Sequence, residues 1–179
     1  MSNLIERAIR AAKLDASLYE EVEADKTALG QATLVVVASS VAAGIGSIAH
    51  GGVAGLFVGA FAALIGWYGW AYLTYLIGTK ILPEAQTEAD FGQLLRTIGF
   101  ASSPGVIQVL GIIPGLGKII AVAAALWMLV AMVIAVRHAL DYSGTLRAVG
   151  VCAIGWIVQG VIIYLLFALL GVPAAGLQP

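Results

Sequence analysis

The residues able to do acid, nucleophilic or metal chemistry are few in this chain and poorly placed for it. Its ten acidic residues all lie in the amino-terminal tail, in the stretch from Glu84 to Asp90, or at Asp141. None falls inside a long apolar run, where proton relays, cation paths and intramembrane proteases keep their ionisable groups. His50 and His138 belong to different connections, so no histidine cluster offers a metal or haem site. The single cysteine, Cys152, sits in an apolar run, can form no intrachain disulfide, and is expected to pack in a core. No nucleophile elbow, phosphate-cradling glycine loop or pair of buried carboxylates stands out. The expectation is a protein that is not an enzyme and carries no cofactor or metal.

The polar residues within apolar runs are Ser39, Ser40, Ser47, Thr74, Ser102, Ser103, Gln108 and Gln159. They can hydrogen-bond between helices, or Ser102, Ser103, Gln108 and Gln159 can line a polar groove for a lipid or small molecule. Glycine occurs 22 times, with Gly51, Gly55 and Gly59 at four-residue intervals and Gly111 and Gly115 repeating the spacing. Such spacing predicts close helix packing, inside one chain or across a dimer seam. Trp67, Tyr68, Trp70, Tyr72 and Tyr75 crowd one stretch. They read as an interfacial belt, or as a lipid, quinone or pigment contact along the shared face of Tyr68, Tyr72 and Tyr75. Arg137, His138, Asp141 and Tyr142 lie within six residues, near a loop that carries Arg96. On a continuing helix Arg137 and Asp141 would pair as i, i+4 neighbours, for about 0.2 to 0.5 kcal/mol. Arg96 would share the same carboxylate, making the five residues a cytoplasmic docking cluster or a solvated collar.

The elements that must position these groups follow from composition. Of 179 residues, 61% are hydrophobic and 11% charged, against roughly 45–50% and about a quarter in soluble domains. Lys26 to Lys80 encloses a run without charge far longer than the ~20 residues one helical crossing needs. It must fold back, and His50-Gly51-Gly52 is the best turn signal. Pro114-Gly115-Leu116-Gly117-Lys118 reads as a second turn. The expectation is an all-α, polytopic membrane bundle of about five transmembrane helices, near 31–49, 53–78, 97–116, 119–137 and 148–171. A tail over residues 1–30 precedes the membrane domain at 31–172, and 173–179 follow as a short external tail. Continuous apolar runs such as Leu34 to Val37 argue against barrel strands.

The tail divides in two. Leu4, Ile5, Ala8, Ile9 and Ala12 keep helical spacing, with Glu6, Arg7, Arg10 and Lys13 on the other side, as in a helix lying on a membrane surface. This charged pattern is unlike a cleaved signal peptide. Ser17 and Glu20 have capping-box spacing, so a second helix is expected to start there; its acidic residues form a solvated face or a docking face. Eight basic residues fall on the side of the tail and only Lys118 opposite. The split predicts a cytoplasmic amino terminus and an external carboxyl terminus. Net charge is -1, so no nucleic-acid partner is expected. The partners expected are the bilayer and either another membrane protein or a second copy of the chain.

Three stretches resemble the Yip domain family of multispanning membrane proteins: Leu14 to Glu23, Leu94 to Pro104, and Val133 to Tyr142. The resemblance implies five spans and a cytoplasmic amino terminus. The chain lacks the Asp-Leu-Tyr-Gly-Pro type motif that eukaryotic members carry before the first span. Their link to Rab-type GTPases is therefore not carried over, and the likeness is to prokaryotic members in a cytoplasmic membrane. The role expected is a non-catalytic scaffold or accessory subunit, with a lipid-handling or small-molecule permease as the alternative.

Overall fold

The computed structural model describes residues 3–46 and 48–169, and the side chains of these except 48–54, 163, 166 and 167. Ser47, the expected helix end and tail beyond residue 169, and the surroundings of Gly51 lie outside the described residues. Everything regular is helical: α1 (Leu4–Ala12), α2 (Ala16–Ala24), α3 (Leu29–Gly46), α4 (Ile48–Leu76), α5 (Phe91–Ala101), α6 (Gly117–Ala139) and α7 (Thr145–Leu169). A 3-10 segment, Ser103–Ile112, continues α5, and a π-helical turn, Ile77–Ile81, ends α4. Among the described residues four helical stretches are long and apolar enough to cross a membrane: Lys26–Gly46, Gly55–Ile81, Gly117–Ala139 and Thr145–Ile162.

The third apolar run is the exception. α5 begins at Phe91, ahead of the expected Thr97, because Asp90 and Gln93 form a capping box: Asp90 Oδ1 accepts from the Gln93 N–H at 2.9 Å. The α ladder then stops at Ala101, since Pro104 has no N–H to give the carbonyl of Phe100. The Ser103 hydroxyl donates to that carbonyl instead, at 2.7 Å. From there the chain proceeds with the tighter winding of a 3-10 helix. Ala32, Ser39 and Gly46 of α3 meet Gly99, Ser102 and Gly111 in turn, so the composite segment runs parallel to α3 along its whole length.

α5 is the axle of the bundle. Every residue from Leu94 to Ala101 is buried, because α2, α3, α4 and α6 all pack around it. The outward sides of the long helices carry the apolar surface. Phe57, Val58, Phe61 and Ile65 of α4, and Ile119, Val122 and Leu126 of α6, are each at least 60% exposed. In water such a surface would be unfavourable by roughly 25 cal/mol per Å²; in lipid it costs nothing.

Helix ends depart from expectation where local polar groups compete. α4 runs through His50-Gly51-Gly52, so these residues are helical and not a turn; in an apolar run the helix keeps their backbone groups bonded. α2 is capped by Asp15 and not by Ser17: Asp15 Oδ1 accepts from the Ser17 N–H at 3.0 Å, and Oδ2 from Arg10 Nε at 2.8 Å. A carboxylate is the stronger acceptor; the Ser17 hydroxyl, donating at 2.7 Å, and then Arg10 hold it down at about 2. The turn expected around Pro114 is present, with Gly115 at φ 84°, where glycine carries no Cβ penalty.

α1 and α6 both end in Schellman motifs. Leu14 at φ 62° and Asp141 at φ 53° are the left-handed residues. The amides of Asp15 and Tyr142 return to the carbonyls of Arg10 and Arg137. α6 therefore stops at Ala139, and the continuing helix that would pair Arg137 with Asp141 does not exist.

Candidate functional site

At the tail end of the bundle α2, the 82–90 connection and the 140–144 loop lie together. Arg96, on the axle helix, is 5% exposed. It donates from Nε to the Val22 carbonyl at 2.9 Å and from Nη2 to the Glu23 carbonyl. These are orphan carbonyls of the α2 carboxyl terminus, where a cation also meets the negative end of the helix dipole. Arg96 thus latches the tail and binds no carboxylate. Arg137 folds back over its own loop, donating to the carbonyls of Tyr142 at 3.3 Å and Ser143 at 3.1 Å and to Thr145 Oγ1 at 3.3 Å. The Tyr142 hydroxyl reaches the carbonyls of Gly78 at 3.1 Å and Leu82 at 2.8 Å, the groups the π-helical turn leaves exposed. His138 Nδ1 lies 3.3 Å from Glu20 Oε1.

A pocket of about 550 Å³ opens among these groups, lined by Glu20, Glu23, Gln93, Arg137, His138, Asp141 and others. Burial, and then the facing Asp141, pushes the Glu23 carboxyl up to about 7 from 4.5; Glu20 and Asp90 act in the same direction and Arg96 against it. A carboxyl raised in the folded state favours folding below its unfolded value and loses that contribution as pH rises through the folded value. Docking of the tail is therefore expected to be firmest in acid and to loosen as pH rises from 4.5 to about 7. Protease release of the tail, followed between about pH 5 and pH 8, should show this rise in wild type and a flattened profile in Glu23→Gln. Identical profiles in the two proteins would remove Glu23 as the cause.

The larger feature lies within the apolar slab. A cavity of about 1220 Å³ separates α3, α4, the 3-10 segment, α6 and α7. Its floor, toward the tail end, is made by Trp67 and Trp70. Both indoles are buried and tied, Trp67 Nε1 to the Leu95 carbonyl at 3.1 Å and Trp70 Nε1 to Met132 Sδ at 3.3 Å. One wall is a helical stripe of α4, Gly55, Gly59, Ala63 and Gly66. Among the described residues a Cβ added at Gly55 or Gly59 would meet nothing within 4 Å, so no described neighbour packs against these glycines. Gly111 does meet a neighbour, Gly46 of α3, whereas Gly115 sits in the turn with open space around it.

Ser39, Ser40, Ser102, Gln108 and Gln159 bring polarity to this cavity, and Lys118 stands at its far end. Of the groove residues expected from sequence, Ser102, Gln108 and Gln159 line it. Ser103 is buried against the Phe100 carbonyl instead. Ser39 spends its hydroxyl on the Ser102 carbonyl at 2.6 Å, and Ser40 on Val37 of its own helix at 2.9 Å. Of the aromatic run, Trp67 and Trp70 face inward, while Tyr68 and Tyr72 clasp Phe91 edge-on, with centroids 6.1 and 5.8 Å away. Sequence spacing put Tyr68 and Tyr72 on one face, with Tyr75, but did not single out the inward pair, which is defined by what packs on α4. Among the described residues no group of three or more His, Cys, Asp or Glu could hold a metal ion.

Compared with known proteins, the chain matches the Yip1 domain over residues 16–174. No curated protein and no solved structure matches it.

Proposed function

Because this chain belongs to the Yip1 domain family, a family whose matched region here takes in all the long apolar helices, we propose that it is a non-catalytic multi-pass membrane protein that accommodates an amphiphile between its spans. The single observation behind this reading is the cavity: an apolar, glycine-walled space with a few amide and hydroxyl groups, the composition of a site for a mostly hydrocarbon ligand. Lipid handling follows from it, since such a ligand reaches a cavity among spans from the surrounding bilayer. The tail, on this reading, faces the cytoplasm and Lys118 the exterior, supported by the eight-to-one distribution of basic residues. Impermeant thiol reagents applied to Ser143→Cys and Lys118→Cys check that assignment.

Gly55→Leu and Gly59→Leu should fill the cavity without displacing a neighbour. A photoactivatable fatty-acyl phospholipid in vesicles is expected to crosslink to both variants several-fold less than to wild type, at unchanged thermal stability. Gly30→Leu, outside the cavity and also unobstructed, serves as control. Equal labelling of all four proteins would end the proposal.

The role of scaffold or accessory subunit is the second reading. The pocket at the tail end favours it, because α2, α6 and the 140–144 loop present charged groups there and α5 the amide of Gln93, as a protein contact would use.

A further inference from the structure

α1 has three faces where an ordinary surface helix has two. With successive side chains turned by roughly 100°, Ala8, Ala12, Ile5 and Ile9 fall within about 100° of arc, and Lys13, Glu6 and Arg10 occupy the next ~60°. Arg7 and Ala11 take the remaining sector, and these two are the residues buried against the protein. Arg7 is 6% exposed, bridging Glu21 and Asp25 at 2.9 Å each and donating to Gln31 Oε1 at 3.0 Å. The helix is thereby held rigidly to α2 and to the start of α3, with its rotation fixed. That rotation leaves Ile5 65% and Ile9 49% exposed. An apolar face turned outward on a helix whose protein face carries an arginine is opposite to what water would select.

The place where α1 ends explains the inversion. Trp127 Nε1 donates to the Ala12 carbonyl at 2.8 Å. Trp127 is twelve residues from the end of α6 at Ala139, roughly 18 Å along the axis. It adjoins Leu126 and Val130 on the exposed apolar side of that helix. The carboxyl end of α1 therefore rests against the lipid-facing wall of a membrane span, below its end, while the helix itself packs on the 3-10 segment, α2 and α5 with Ile5 and Ile9 turned outward. We propose that α1 is an in-plane membrane helix whose partner is the lipid bilayer itself. Ile5 and Ile9 turn toward the acyl chains, the Glu6 and Lys13 edge turns away from them, and Arg7 and Trp127 hold the helix against the bundle. This inference is independent of what the cavity holds.

Single-cysteine variants of the full chain in a Cys152→Ala background, reconstituted in phosphatidylcholine and phosphatidylglycerol vesicles, test it. An environment-sensitive fluorophore at Ile5→Cys or Ile9→Cys is expected to be quenched by nitroxides on the acyl chains and protected from iodide several-fold relative to Glu6→Cys. Adding Trp127→Phe should shrink that protection. The labelled positions and Trp127 are exposed, and the buried Cys152 loses only its sulfur in the shared background; a monodisperse elution profile of that background and of each variant confirms folding. Ile5 and Ile9 sites as open to iodide as Glu6 would overturn the proposal. Sites shielded from iodide and nitroxide alike would overturn it too, because a protein would then be covering them.

Discussion

Arg96→Ala will release the amino-terminal tail from the bundle. The guanidinium makes two charge-assisted hydrogen bonds to the last turn of α2, each worth about 1.5–3 kcal/mol. Deletion recovers the cost of keeping a cation almost fully out of water, so the net loss is expected near ~3 kcal/mol. Because the latch joins α2 to a helix buried on all sides, the loss falls on tail docking first and on the spans later. Protease should remove the tail many times faster than from wild type, with the membrane-spanning core still intact. Arg96→Lys, whose compact ammonium cannot fork to two carbonyls, should lie about midway. A tail equally protected in Arg96→Ala would show that α2 docks through its apolar residues, Leu18, Tyr19 and Val22, alone.

Gly46→Ala will destabilise the transmembrane bundle, although it adds only one methyl group. The added Cβ would lie well inside contact distance of the Gln108 carbonyl oxygen and 3.1 Å from its carbon. The obstacle is main chain on a neighbouring segment and has no rotamer to escape into, so the cost belongs at or above the ~1–3 kcal/mol of ordinary overpacking. Gly55→Ala is the matched comparison, with nothing within 4 Å of its added carbon. Unfolding of the two variants in detergent should separate them clearly. If they unfold together, α3 and the 3-10 segment can part without penalty, and the close approach of Gly46 to Gly111 is incidental.

These two glycines also mark how far the sequence could be read. The apolar runs, their lengths and the small-residue intervals foretold a membrane bundle with close helix contacts. Periodicity identified Gly55 and Gly59 as special, but a missing side chain looks the same whether a helix or an empty space lies opposite. Gly46, which belongs to no regular repeat, carries the tightest approach. Arg137, His138, Asp141 and Tyr142 line one pocket, but the pairing expected among the charged residues is not the one found. Arg137 and Asp141 need a helix that continues, and the Schellman stop at Ala139 turns Asp141 away. Arg96 found main-chain carbonyls of α2, partners that residue types do not advertise. Ser102, Gln108 and Gln159 come together because Pro104 redirects the third run beside α3. That proline was visible, but its consequence, a 3-10 segment in place of a kink, depends on the Ser103 hydroxyl taking over the Phe100 carbonyl.

The stretched winding after Pro104 changes how the chain meets the thickness of a bilayer. A 3-10 helix rises ~2.0 Å per residue against ~1.5 Å for an α-helix. The ten residues of the segment therefore reach about 20 Å, and with the eleven of α5 the total is about 36 Å. The 23 residues of α6 give ~35 Å. A run that counts as too short and too interrupted to be a membrane helix is thus as long as one, and covers a hydrocarbon layer of roughly 30 Å. A hydropathy window sees four crossings here; a ruler laid along the backbone finds a fifth of equal reach, wound thinner and longer so that α2, α3, α4 and α6 can all close around its first half.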